Sequence, residues 1–282
     1  MSDAKGTNDV RLVFSDMDST YLAKDKTIPE GNLRLLDKLQ ERGIAFVPCS
    51  GRAWTALPKE LLESPDVHYA VASNGAAVVD VRSGETLHKR IIGAERTLAY
   101  FERVKDVSST FDVFAGGVSR ANKDRCLRVL DYGISPDVIK FISTTRVRLD
   151  MPTEEVVRAY PDVDKVTMFF DSEEDRKALI AAAEADPSLS WTTSDPKNIE
   201  IMDSEASKGT GMAWLCDYLG VGLDQCVAFG DSANDLPMLE AAGLGVAMCN
   251  AADDFKAKAD AVTAKDNSAS GVACFLEDYL GL

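Results

Sequence analysis

Two carboxylates two residues apart, in the stretch Asp16-Met17-Asp18-Ser19-Thr20, follow directly on the apolar run Leu12-Val13-Phe14. A β-branched and aromatic run broken by small polar residues reads as a buried strand whose C-terminal end delivers both carboxylates into a loop. That edge is where open α/β sheets place their ligands. Asp16 and Asp18 repel each other unless positive charge lies between them, and a hard, oxygen-seeking cation such as Mg²⁺ is the usual partner. A carboxylate held in this way can also attack phosphorus while its neighbour moves the proton. Asp and Ser are equally ordinary turn residues, so the pair alone leaves a plain turn open.

Three further stretches carry chemistry of the same kind. Ser50-Gly51-Arg52 ends a second apolar run, Ile44 to Cys49. Ser50 would stand at the same carboxyl edge as Asp16 and hold a phosphoryl oxygen, Gly51 permits close backbone approach, and Arg52 opens a helix whose N-terminus favours an anion. The same three residues also make an ordinary helix cap. Lys208, in Ser207-Lys208-Gly209, puts a compact ammonium at a helix start, against the helix dipole, where a phosphate and several carboxylates would need neutralising. Gly230-Asp231-Ser232-Ala233-Asn234-Asp235 then brings Asp231 and Asp235 to one short loop after the strand-like Cys226–Phe229. Several acidic groups in one cleft are poorly explained by stability. Asn74, at the end of the run Tyr69 to Ala72, serves either as a substrate ligand or as a turn residue.

The elements that must position these residues can be read from periodicity. Ile28-Pro29-Glu30 begins a helix with Leu33, Leu36 and Leu39 on one stripe, stopped at Arg42-Gly43; with its flanking strands it makes a βαβ unit. Val78 to Asp80 with Ser83-Gly84 suggests a hairpin. From about Ile91 the rhythm changes. Helical patterns over Glu95–Val107, Pro136–Thr144, Thr153–Tyr160 and Glu173–Ala185 alternate with strand patterns over Val113–Val118, Cys126–Leu130, Lys165–Phe170 and Leu189–Thr193. No catalytic spacing occurs in this block, which reads as a small inserted domain with hinges near Arg90–Glu95 and Asp195–Asn198. Its basic cluster Arg120, Lys123, Arg125 and Arg128 reads as a solvated face. Ile199 to Met202, Gly245 to Met248 and Ala261 to Thr263 read as further strands of the first domain.

Composition narrows the function classes. The 282 residues suffice for two ordinary domains, and a charged fraction of 27% with 45% hydrophobic residues is that of a globular chain. A formal charge of −15 repels polyanions, which argues against nucleic acid and anionic membranes. The apolar runs are too short to span a bilayer and the start carries no apolar signal region, so the expected location is cytoplasmic. Six scattered cysteines without C-x-x-C spacing indicate neither a disulfide framework nor a zinc site.

In their order, these four motifs closely resemble the signatures of the haloacid dehalogenase superfamily of phosphohydrolases, and of its Cof-like sugar-phosphatase branch in particular. Asn74-Gly75-Ala76, Gly245-Val246-Ala247-Met248 with Asn250-Ala251, and Gly271-Val272-Ala273 also look like that branch. The resemblance implies an α/β fold: a doubly wound, Rossmann-like parallel sheet core from residues 1–90 and 195–282, with an inserted α+β cap over 91–194 that selects substrate. It implies a Mg²⁺-dependent phosphomonoesterase for small phosphorylated metabolites, sugar phosphates foremost, monomeric or homodimeric. Asp16 would be the nucleophile and Asp18 the acid and then the base. Mg²⁺ would be held by Asp16, the backbone carbonyl of Asp18 and Asp231, with Asp235 supporting. Ser50 and Lys208 would hold the phosphoryl group, and Asn234 would assist at the metal loop. The alternatives are a phosphomutase or a specialised sugar-phosphate phosphatase of the same fold and, from a different class, a non-catalytic phospholigand-binding module; the intact Asp18 speaks against the last. One departure is Asp203-Ser204-Glu205-Ala206 before Lys208, where the family pattern has Pro-x-Gly-Val.

Overall fold

A computed structural model describes residues 9–282; the opening residues on which the absence of a signal region was read lie outside it. In chain order the strands are β1 (Leu12–Asp16), β2 (Ala45–Cys49), β3 (Tyr69–Ala72), β4 (Ala77–Asp80), β5 (Thr86–Lys89), β6 (Asp112–Ala115), β7 (Val118–Asn122), β8 (Arg146–Leu149), β9 (Val163–Phe169), β10 (Leu189–Thr192), β11 (Asn198–Asp203), β12 (Cys226–Gly230), β13 (Leu244–Ala247) and β14 (Ala261–Val262). They form an eight-stranded sheet in the order β14-β13-β12-β1-β2-β3-β4-β5 and a six-stranded sheet in the order β10-β11-β9-β6-β7-β8. The described chain divides accordingly into two units, the first comprising 9–50, 57–88 and 207–282, the second 51–56 and 89–206.

In the first unit, β1 pairs in parallel with β2 on one side and β12 on the other, and β13 and β14 continue in parallel. Alternation along β1 explains the two covered faces. Val13 packs with Leu35, Leu36 and Leu39 of the helix Glu30–Glu41 and with Val272 and Leu276 of the helix Gly271–Leu280. Leu12 and Phe14 pack with Met212 and Leu215 of the helix Lys208–Leu219 and with Met238 and Leu239. Parallel pairing of β2, β1 and β12 brings Asp16, Ser50 and the loop after Gly230 to the same carboxyl edge.

The second unit packs Val113, Val166, Ile199 and Ile201 of its sheet against Tyr100, Phe101 and Val104 of the helix Gly93–Val104 and Leu179 of the helix Glu173–Glu184. Two expectations are corrected here. The boundary at residue 195 is too early: β11 pairs antiparallel with β9 and β10, and the first unit resumes at Ser207. The stretch Cys126–Leu130 is helical, because Asn122 caps it by accepting the Arg125 N–H at 2.8 Å.

Arg125 also leaves the solvated face assigned to it. It is buried, and its guanidinium donates to the carbonyls of Val104, Lys105, Val107 and Ser109, the orphaned acceptors beyond a helix C-terminus. Arg125→Met should therefore destabilise the protein by about 2–4 kcal/mol in chemical denaturation, since several buried carbonyls lose their donor together.

Candidate active site

The strand end at Asp16 runs into a turn over Met17–Tyr21 in which Asp18 and Ser19 leave helical geometry. The turn is tied down from several sides. Asn250 donates to the Ser19 carbonyl at 2.9 Å, Asn267 to that of Leu22 at 2.7 Å, and Asn32 to that of Tyr21 at 2.8 Å. Thr20 Oγ1 donates to Asp231 Oδ1 at 2.7 Å and so links the first motif to the fourth.

Lys208 is the first residue of its helix, held there by a reciprocal cap between Ser207 and Thr210. Its side chain is fully buried and its Nζ donates to Asp16 Oδ1 and, at 2.5 Å, to Asp235 Oδ1. Asp235 in turn accepts the backbone N–H groups of Asp231 and Ser232 at 3.0 Å each. Oxygen atoms of Asp16, Asp231 and Asp235 lie within 4.8 Å of one another. The first, third and fourth motifs thus meet at one point, with Asp16 and Lys208 192 residues apart along the chain.

Two glycines permit the meeting. A Cβ on Gly230 would lie 2.3 Å from Asp235 Cβ. Gly75 has φ +90°, and a Cβ there would lie 1.8 Å from the Ser207 carbonyl oxygen. Gly75 ends a turn in which Ser73 and Asn74 are also left-handed. That turn receives the Lys208 helix and ties in Ser50, whose carbonyl accepts the Asn74 N–H at 3.0 Å while its own N–H donates to Val71 at 2.8 Å. Asn74 Oδ1 accepts from Asn234 Nδ2 at 3.1 Å, so the two asparagines expected near substrate are each other's partners here.

Electrostatics explain what the cluster needs. Burial, partly offset by Lys208, holds the Asp16 carboxyl well above the usual carboxylate range, and Asp235, Asp231 and Asp18 push the same way. Burial disfavours the Lys208 charge, but Asp16 and Asp235 outweigh it and raise its pKa. Burial and then the Asp235 charge push Asp231 up to about 7. One ammonium is too little positive charge for three clustered carboxylates. An all-oxygen donor set with excess negative charge fits a hard divalent cation.

Asp18 points its carboxylate to Lys26, Nζ to Oδ1 2.7 Å, with both side chains more than a third exposed. The metal role expected of Asp18 concerns its backbone carbonyl rather than this carboxylate. Gly51 and Arg52 belong to the second unit. The Gly51 carbonyl accepts from Lys165 at 2.5 Å, Lys165 pairs with Glu200 at 2.7 Å, and Arg52 lies 4.4 Å above the Phe141 ring. Thr20 and Lys26 had no role in the sequence reading. The four-residue spacing from Asp16 to Thr20 is a usable signal, whereas Lys26 shows none.

Comparison with known proteins bears on the fold and the family. The family profile of haloacid dehalogenase-like hydrolases matches residues 13–276. The 5-amino-6-(5-phospho-D-ribitylamino)uracil phosphatase YitU of Bacillus subtilis is 30% identical, over 96% of this chain and 98% of its own. Phosphatase YwpJ of the same organism is 28% identical, over 96% of this chain and 100% of its own. Among solved structures, a haloacid dehalogenase-like hydrolase from B. subtilis superposes with a TM-score of 0.82 at 28% identity, covering 95% of this chain and 99% of that one.

Two outcomes follow from the site. Gly75→Ala should cost about 3 kcal/mol or more in denaturant unfolding, through a backbone clash at Ser207, and should lower turnover together with stability. A carboxyl raised in the fold, as Asp231 is, binds more protons there than in the unfolded chain. Its stability contribution is present below the usual 3.8 and is lost as pH rises through about 7. With divalent metal chelated, thermal unfolding of the wild type should weaken over that window more steeply than that of Asp231→Asn; parallel curves would contradict the assignment.

Proposed function

The chain belongs to the haloacid dehalogenase-like hydrolases and is a phosphatase, and we propose that it hydrolyses small phosphomonoesters, sugar phosphates foremost, through an aspartyl-phosphate on Asp16 with Mg²⁺ bound. The observation that carries the reading is the buried Lys208 ammonium shared by Asp16 and Asp235, with Asp231 beside them. A phosphoryl group brought to Asp16 meets a nucleophile oriented by its own strand end and by a cation that costs no reorganisation at the moment of reaction.

Asp16, Asp231 and the Asp18 backbone carbonyl would hold Mg²⁺, and Asp235 would orient the Asp231 loop through its two backbone hydrogen bonds. When bound, the metal supplies positive charge to the transferring oxygens. Asp16 attacks phosphorus as the ester oxygen leaves, and Asp18 gives that oxygen a proton. Asp18 then takes a proton from water as the water oxygen bonds to phosphorus and Asp16 is released. Ser50 and Lys208 hold the non-bridging oxygens during both steps. Asn74 and Asn234, hydrogen-bonded to each other, line the same edge and would contact substrate there.

The second unit is the selecting cap in this reading. Its sheet carries two buried ion pairs on one face, Asp112–Arg146 at 2.9 Å and Lys165–Glu200 at 2.7 Å, and the Lys165 ammonium holds the Gly51 carbonyl one residue beyond Ser50. YitU is named for a substrate whose phosphate sits on a ribityl chain, which favours polyhydroxylated phosphate esters for this chain also.

Asp16→Asn should abolish phosphate release, and Asp18→Asn should reduce it by about 10²- to 10⁴-fold. The assay is release of inorganic phosphate across sugar phosphates, nucleotides and pyridoxal phosphate, with Mg²⁺ or with chelator. Activity in chelator equal to that with Mg²⁺, or near wild-type turnover by Asp16→Asn, would refute the proposal.

A further inference from the structure

Lys26 lies outside all four motifs, yet its side chain ends on the carboxylate assigned to proton transfer, 2.7 Å from Asp18 Oδ1. It stands in a tight turn closed by two backbone hydrogen bonds of 2.9 Å, from Ala23 N–H to Thr27 O and from Lys26 N–H to Ala23 O. Asp25 completes the turn by accepting from the Thr27 N–H at 3.1 Å and from its hydroxyl at 2.6 Å. Within this turn Lys26 has φ +69°, a conformation that glycine or asparagine adopts with less strain.

Stability does not explain a lysine there. Its ion pair is more than a third exposed on both sides, and such pairs contribute little. Strain retained beside a reactive group points to function instead. The residues that follow Asp18 are fixed by contacts of their own: Ser19 through its carbonyl, which accepts from Asn250, and Thr20 through its hydroxyl, which donates to Asp231. The Lys26 ammonium acts on the Asp18 carboxylate itself.

We propose that Lys26 is a positioning residue, whose ammonium orients the Asp18 carboxyl group, protonated when it acts as the acid, for proton transfer to the leaving oxygen. This rests on the role of Asp18 given above. A turn pinned by its own hydrogen bonds presents the lysine from a fixed base, so the reach of its side chain selects one Asp18 rotamer among several.

The test compares an alkyl phosphate, whose poor leaving group needs the proton, with p-nitrophenyl phosphate, whose leaving group does not. Lys26→Gly should lower kcat for the alkyl ester by about tenfold, with a smaller loss on p-nitrophenyl phosphate and little change in KM. Its melting temperature should be unchanged or higher, because glycine relieves the left-handed strain. Lys26→Arg should recover most of the alkyl-ester rate, and Lys26→Gly added to Asp18→Asn should cause no further loss. Equal losses on both esters, a change in KM alone, or an undiminished alkyl-ester rate would overturn the proposal. Undiminished alkyl-ester turnover by Asp18→Asn would instead overturn the assignment of Asp18, whatever Lys26 does.

Discussion

A single buried ammonium holds the first unit's carboxyl edge together. Lys208 is removed from water completely, and its ammonium is shared by two carboxylates from distant segments. Burying such a triad gains little stability over a well-packed apolar alternative, while removing one member leaves an uncompensated charge inside. The arrangement is therefore better understood as preorganisation. The fold spends burial energy elsewhere, in the apolar layers on both faces of the β1–β2–β12 centre, to keep like charges within reach of one another.

Backbone geometry carries the other half of that constraint. The Lys208 helix can approach the end of β3 only because Gly75 has no side chain, and the Asp231–Asp235 loop can fold over Gly230 for the same reason. Ser73 and Asn74, both left-handed ahead of Gly75, concentrate strain next to Ser50. Strain of this kind persists where surrounding packing over-determines it, and here the packing is the helix that delivers Lys208.

The first unit was largely legible in the sequence because its strands are short apolar runs that stop at polar or glycine-rich loops, and each chemical residue sits at such a stop. The second unit was less so. Cys126 to Leu130 has the composition of a strand, but the cap supplied by Asn122 makes it helical. Ile199 to Met202 looks like any buried strand, and only its pairing with β9 and β10 decides which sheet it joins. Arg125 reads as a surface residue until the carbonyls beyond a helix end are seen around it. Gly51 and Arg52 adjoin Ser50 in sequence, yet their side of the chain is held by Lys165 and Phe141 in the second unit. Each of these depends on contacts remote in sequence, which periodicity does not encode.

The central claim is that Asp16, caged by Lys208, Asp231 and Asp235, is the atom donor to phosphorus. It is tested most directly by quenching the enzyme during turnover, reducing the trapped acyl phosphate with borohydride, and mapping the peptides by mass spectrometry. The account predicts that the aspartate at position 16 is converted to homoserine, and that the conversion requires substrate. Conversion at another carboxylate, or turnover with no reducible acyl phosphate at any time, would contradict it.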